Sequence, residues 1–226
     1  HHRVLDINAG SGLLTWEAVR RAPEGGVWAL VDEQQAGTAL RQQAERLAEI
    51  ERPSILIGSL AELPDLLALR GEEDVRFDRI VSRNPQRAEL FAPANLARLA
   101  ALLGADGRLI LLQTIPRRGQ RLYRLVDWGE GTRLAEKVAV AEEAIYADDT
   151  DPLVNWDETD LERALAAQFA IMQSRVEREL RRQRISEGQV TRWFAPAGGA
   201  RPSYRERLLA AGLSAAECGA VADLYR

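Results

Sequence analysis

Short apolar runs and longer amphipathic stretches alternate through the first half of the chain. Residues 3–7 (RVLDI) form a β-rich apolar run, and residues 14–22 (LTWEAVRRA) carry apolar positions at helical spacing until PEGG stops them. The couplet repeats with a strand at 27–32 and a polar helix at 36–50, then a strand at 54–58 and a short helix at 63–71. A strand at 77–84, a helix at 93–104 and a nearly continuous apolar strand at 107–115 complete the series. Strands of this kind are covered on both faces, which predicts a parallel sheet with right-handed βαβ crossovers.

The second half has another pattern. Residues 116–128 and 132–147 read as helices, 148–156 (DDTDPLVNW) as an irregular loop, and 157–169 as a helix with acids in its first turn, where the helix dipole favours them. Residues 170–186 predict an antiparallel strand pair closing the sheet. Ser186 with Gln189 matches a capping box for a helix through Trp193, and residues 195–203 form a linker. Two short helices follow, the second capped by Ser214 with Glu217. The expected fold is α/β: a three-layer Rossmann-like open twisted sheet, mostly parallel with an antiparallel terminal pair, helices on both faces and a small helical C-terminal extension. The expected domains are residues 1–185 and 186–226.

Composition narrows this little. A chain of 226 residues, 46% hydrophobic and 28% charged, suits one α/β domain with an appendage. A net charge of −4 argues against a surface given over wholly to nucleic acid. The single cysteine, Cys218, excludes an internal disulfide and a Cys-rich metal site, so no metal is expected and the reducing cytoplasm is the default compartment. No apolar run approaches the roughly 18 residues of a membrane span, and no signal peptide precedes the first strand.

Candidate chemistry begins at the first turn. Asp6, Asn8, Gly10 and Gly12 follow the first strand directly, and small residues there let the backbone approach a ligand while the next helix offers unpaired N–H groups. Asp32 ends the second strand, where a carboxylate can accept both hydroxyls of a ribose lying across the strand ends. Together these describe a nucleoside-containing cofactor at the C-terminal edge of an open parallel sheet. A nicotinamide fingerprint is incomplete, because Thr15 stands where a third small residue belongs. The phosphate-binding loop of nucleotide hydrolases is missing altogether.

The residues that form this turn resemble the first motif of class I S-adenosylmethionine (SAM) methyltransferases, D-x-G-x-G-x-G, with Asn8 in place of the first glycine. Asparagine tolerates left-handed backbone next best after glycine, so the turn is expected to keep its shape. The resemblance runs from about Val4 to Ile115. It implies SAM as cofactor, Asp32 at the ribose, and Ser59 at a position usually held by an adenine-contacting acid. It also implies that the Leu60 backbone N–H meets the adenine, and places Asn84 near the methyl group, since RNPQ (83–86) is similar to the N-P-P-[YF] motif of amino-methyltransferases. That likeness lacks the second proline and the aromatic. Asn-Pro here reads equally as strand-to-loop punctuation, and no catalytic residue is assigned.

Arginines cluster at Arg117, Arg118, Arg121 and Arg124, and again at Arg175, Arg178, Arg181, Arg182 and Arg184. Arginine matches phosphate geometry, which offers a nucleic-acid surface; the interspersed Glu177 and Glu179 suit a solvated, salt-bridged face instead. Residues 5–27, 141–161 and 201–208 together resemble the methyltransferase-like domain fused behind replication-associated recombination ATPases of the AAA+ class in some bacteria. That implies an upstream ATPase domain as partner, and accounts for the three residues that precede Val4. Two functions follow as expectations: a SAM-dependent methyltransferase, or an inactive module that docks the ATPase or DNA. The loop 148–156 is expected over the cofactor end of the sheet, with Trp156 at least partly buried as its anchor.

Overall fold

The computed structural model describes residues 2–85, 87–151, 153–179, 184–196 and 202–225. Contacts divide it into two compact units, His1–Thr114 with Glu162–Met172, and Ile115–Leu161 with Gln173–Arg226.

The first unit is the sheet. Its elements are β1 (Val4–Asp6), α1 (Leu13–Arg21), β2 (Val27–Val31), α2 (Gln34–Ala44), β3 (Ser54–Ile57), α3 (Leu63–Ala68), β4 (Phe77–Arg83), α4 (Arg87–Leu90), α5 (Pro93–Leu102) and β5 (Leu103–Leu112). The five strands run in the order β3-β2-β1-β4-β5, and every pairing is parallel. Alternation along the strands shows why helices cover both faces. Leu30 and Leu56 point into a core with Leu63 and Leu67 of α3 and Leu99 and Leu102 of α5. Their neighbours Ala29, Val31 and Ile55 point the other way, onto Leu40 of α2. Each fully buried leucine contributes about 1.5–3 kcal/mol. Trp28 meets Phe77 edge to face at 5.2 Å and donates its indole N–H to Glu72 at 2.9 Å, so its polar end is satisfied too.

The second unit is helical: α6 (Thr132–Ala147), α7 (Glu158–Ala166), which runs across the division, α8 (Glu187–Phe194), α9 (Tyr204–Ala210) and α10 (Ala215–Asp223). Val138 and Ala141 of α6 share a core with Val190, Leu208, Cys218 and Val221 of the tail helices. Inside it lies Glu142, whose carboxylate accepts the Leu122 and Tyr123 N–H groups at 2.5 and 2.9 Å and the Tyr204 hydroxyl at 2.8 Å. Three donors compensate its loss of water. Burial, with the Glu142 charge beside it, pushes the Tyr204 phenol far above its ordinary value.

Two expected elements are corrected. The strand pair at 170–186 does not form: the sheet is parallel throughout, and residues 169–179 and 184–186 carry no ladder, while 180–183 lie outside the described residues. That stretch has no glycine, proline, asparagine or aspartate to make a hairpin turn, and its apolar positions do not alternate. The helix expected at 116–128 is instead two 3₁₀ turns, Pro116–Arg118 and Leu122–Arg124. Gly119 interrupts the run, and Glu142 captures the Leu122 and Tyr123 N–H groups that a continuous helix needs.

Candidate functional site

The sheet order reverses direction between β1 and β4, and a crevice opens where the strand ends part at such a switch point. A cavity of about 30 Å³ lies there. Ile7 and Asn8 line it from β1, Leu30 and Asp32 from β2, Gly58 and Leu60 from β3, and Pro85, Glu89 and Leu90 from beyond β4. The expected residues Asn8, Asp32 and Leu60 thus converge on one cavity, with Gly10, Gly12, Ser59 and Asn84 on the turns that adjoin it.

The glycine turn has the backbone its sequence requires. Gly10 and Gly12 stand at φ 38° and 79°, in the left-handed region. A Cβ at Gly12 would lie 2.5 Å from the Trp16 indole nitrogen and 2.6 Å from Leu40. At Gly10 the nearest atom is the Asn8 carbonyl oxygen at 3.8 Å, so that side of the turn is open to a ligand. Asp6 is used internally. Its carboxylate, 1% exposed, accepts the Thr15 hydroxyl at 2.9 Å and the Asn8 N–H at 3.3 Å. Burial raises its pKa, and the Thr15 and Asn8 hydrogen bonds oppose that rise. Asp6 therefore shapes the turn from beneath.

Asn8 does not take the left-handed backbone expected of a glycine substitute. Its amide donates to the Arg83 and Asn84 carbonyls at 2.8 and 3.2 Å, tying the turn after β1 to the end of β4. The left-handed asparagine is Asn84, at φ 48°. Its N–H donates to Leu112 at 2.8 Å, and its side-chain oxygen accepts the Thr114 N–H at 2.7 Å. Asn84 is thus bonded into the end of β5, and Gln86 of the same motif lies outside the described residues.

Asp32 is exposed at the mouth of the cavity. Ser59 turns into its own loop, where its N–H and hydroxyl both donate to Glu62 at 2.7 and 2.8 Å. Those bonds, the backbone one foremost, hold the Glu62 carboxyl below its ordinary range. The Leu60 N–H donates to the Glu89 carboxylate at 2.9 Å, and both residues line the cavity. Sequence reasoning missed Glu89, because no motif marks it; only the fold brings it beside Leu60, 29 residues away. No His, Cys or Tyr lines the cavity among the described residues, so the site holds no ordinary general base besides its carboxylates.

The arginines after β5 are paired within the second unit. Arg117 meets Asp157 and Asp160 at 3.2 and 3.3 Å, and Arg118 binds Glu158. Arg121 meets Glu143 at 3.0 Å and stacks 3.7 Å over the Tyr146 ring, and Arg124 reaches Glu143 at 3.6 Å. Trp156 is buried at 2%, as its place in a polar loop predicts.

Among solved structures, the cyclopropane synthase MmaA2 from Mycobacterium tuberculosis matches 76% of this chain and 56% of its own, at TM-score 0.50 and 16% identity. That likeness is one of fold, a Rossmann-like α/β arrangement around a parallel sheet. The glycopeptide N-methyltransferase MtfA matches at TM-score 0.40 and 18% identity, over 54% of this chain and 51% of that one. The chain spans about half the length of these structures. No family model and no curated protein matches the sequence. Among the described residues, no helix is long and apolar enough to cross a membrane.

Proposed function

We propose that the chain is a methyltransferase-like domain that binds SAM at the open end of its sheet. The observation that carries this is the convergence at one switch point of a left-handed glycine turn open at Gly10, the exposed Asp32 carboxylate and the Leu60 N–H beside the cavity. The donor set fits a nucleoside. Asp32 accepts the ribose hydroxyls, the Leu60 N–H donates to the base, and the turn from Asn8 to Gly12 lies against the amino-acid end. When bound, SAM supplies a methyl group on a sulfonium, ready for in-line displacement. Positioning supplies much of the rate in such a transfer. The chain's contribution is then to hold and orient, since the cavity offers no dedicated base.

Titration calorimetry with SAM and its demethylated product tests the proposal. Binding is expected, and Asp32→Ala should weaken it by about 1.5–3 kcal/mol, the worth of hydrogen bonds to a charged group. Absence of binding up to millimolar ligand would overturn it.

A second reading, a non-catalytic module on the same fold, is favoured by the internal bonding of the site's side chains: Asn8 is tied to the Arg83 and Asn84 carbonyls, and Ser59 to Glu62. Turnover on any nucleic acid or protein acceptor would remove that reading. We further propose that the chain serves an AAA+ ATPase of replication, recombination or repair. In support, two of the segments that carry this resemblance meet in space: Tyr204 bonds Glu142 at 2.8 Å, and Arg207 bonds Asp151 at 2.6 Å. Titrating such an ATPase module against the chain in trans tests it, and the absence of both binding and any change in ATP hydrolysis would remove it.

A further inference from the structure

We propose that Glu89 is the residue that reads the nucleobase in this pocket, and that in the free chain its carboxylate holds the base's place. This rests on the nucleoside-binding reading above. The Leu60 N–H is the donor that a base needs on this side of the cavity, and it is already engaged by Glu89 Oε1 at 2.9 Å. Both residues line the cavity. A base can take the Leu60 N–H only when the Glu89 carboxylate gives it up, so this side chain has to move first. Glu89 is the group standing between Leu60 and that space.

Its backbone is anchored independently of the bond its side chain makes to Leu60. The Glu89 carbonyl accepts the side-chain amide of Asn95 at 2.7 Å, and Asn95, 6% exposed, accepts Arg98 in turn at 2.5 Å. The next residue, Leu90, is buried in the core. The backbone at residue 89 is therefore anchored on α5, while rotation about the side-chain bonds frees the Leu60 N–H.

The chemistry then selects one base. Adenine presents a ring-nitrogen acceptor beside an exocyclic amino donor. A backbone N–H beside a carboxylate is the complementary donor and acceptor, with Leu60 to the ring nitrogen and Glu89 to the amino group. Hypoxanthine and guanine reverse both positions, and would set donor against donor and acceptor against acceptor. Ser59 does not line the cavity, and its hydroxyl donates into its own loop, to Glu62. Asp32, the other carboxylate of the cavity, lies at the ribose side in the same reading.

The alternative is that the Glu89–Leu60 bond merely braces the loop, and base preference separates the two. The experiment measures binding of S-adenosylhomocysteine and S-inosylhomocysteine, and of adenosine and inosine, to the whole chain, to Glu89→Ala and to Glu89→Gln. The unaltered chain should prefer adenine by about 100-fold or more, as a site built to bond a polar edge does. Both variants should cut that preference by about tenfold, with Glu89→Gln gaining affinity for hypoxanthine, because its amide can donate to the exocyclic oxygen. A preference unchanged in variants that still bind S-adenosylhomocysteine leaves Glu89 a brace and overturns the inference alone. If Glu89→Ala fails to fold, Glu89→Gln decides, since its amide oxygen keeps the bond from Leu60. Adenosine binding with a Glu89-dependent preference, but no gain from the homocysteine part, sustains the inference and removes the SAM reading. No binding of either nucleoside or either homocysteine compound overturns both.

Discussion

Gly10 and Gly12 share a left-handed backbone yet face different surroundings, and this separates handedness from packing. An alanine at either position carries the cost of left-handed backbone, about 1–2 kcal/mol. At Gly12 the added methyl also collides with Trp16 and Leu40 at 2.5 and 2.6 Å, whereas at Gly10 nothing lies closer than 3.8 Å. Gly12→Ala should therefore destabilise the fold by about 1–3 kcal/mol more than Gly10→Ala, the usual penalty of overpacking. Urea unfolding of the two variants checks this, and equal losses would refute the packing argument. Gly10→Ala should instead act on ligand affinity, because its methyl would project into the open side of the turn. At the same scale Asp6, Asn8 and Ser59 show how residues chosen for a ligand role serve the loop itself. Each is bonded within the protein, and what they present to the cavity is backbone shape.

Among the elements, the three tail helices each begin with a complete capping box: Ser186 with Gln189, Ser203 with Glu206, and Ser214 with Glu217. The third is tied to α6 as well, because Lys137 donates to Glu217 at 2.6 Å. That bond first, and the Ser214 N–H second, hold the Glu217 carboxyl down to about 2. A carboxylate whose pKa is depressed on folding lends stability that is complete above its unfolded value, near 4.3, and is lost as pH falls through the folded value. The start of α10 should thus loosen as pH falls from about 4.5 to about 2, and Lys137→Met should narrow that window by raising its lower end. Following the amide signals of Ser214 to Cys218 by NMR through this range tests it; resonances indifferent to pH in both proteins would show that the pair contributes nothing.

Over the whole molecule, charge is settled by pairing more than by composition. Arg117, Arg118, Arg121 and Arg124 all meet acids of the second unit, and so add little free positive surface despite their density in the sequence. By contrast, residues 170–179 form no helix or strand and are exposed throughout, with Arg175 bonded only to nearby Glu177, at 2.9 Å, among the pairs described. Exposed backbone outside helices and strands is where a protease binds first. Brief trypsin treatment should therefore cut after Arg175 or Arg178 before it cuts after the paired arginines at 117–124. The tail helices should remain attached by their shared core with α6. Mass spectrometry of the nicked protein under native conditions reads both outcomes, and early cleavage at 117–124 or loss of the tail would contradict them.

What the sequence determined by itself is local and directional. Apolar runs without alternation yielded the five parallel strands, glycines after β1 marked the left-handed turn, and the Ser-x-x-Gln and Ser-x-x-Glu spacings marked helix starts, because each depends on residues only a few positions apart. The tertiary structure decided everything that joins distant segments. It alone brought Glu89 to Leu60, turned the Asn8 amide onto the end of β4, and put Glu142 where it captures two backbone N–H groups and dissolves an expected helix. It also left residues 170–179 without a ladder, since strand pairing needs a turn and a matched partner edge that no single stretch encodes. Hydrogen bonds between groups 19 to 76 residues apart depend on how the chain closes on itself, and the pattern along it does not carry that information.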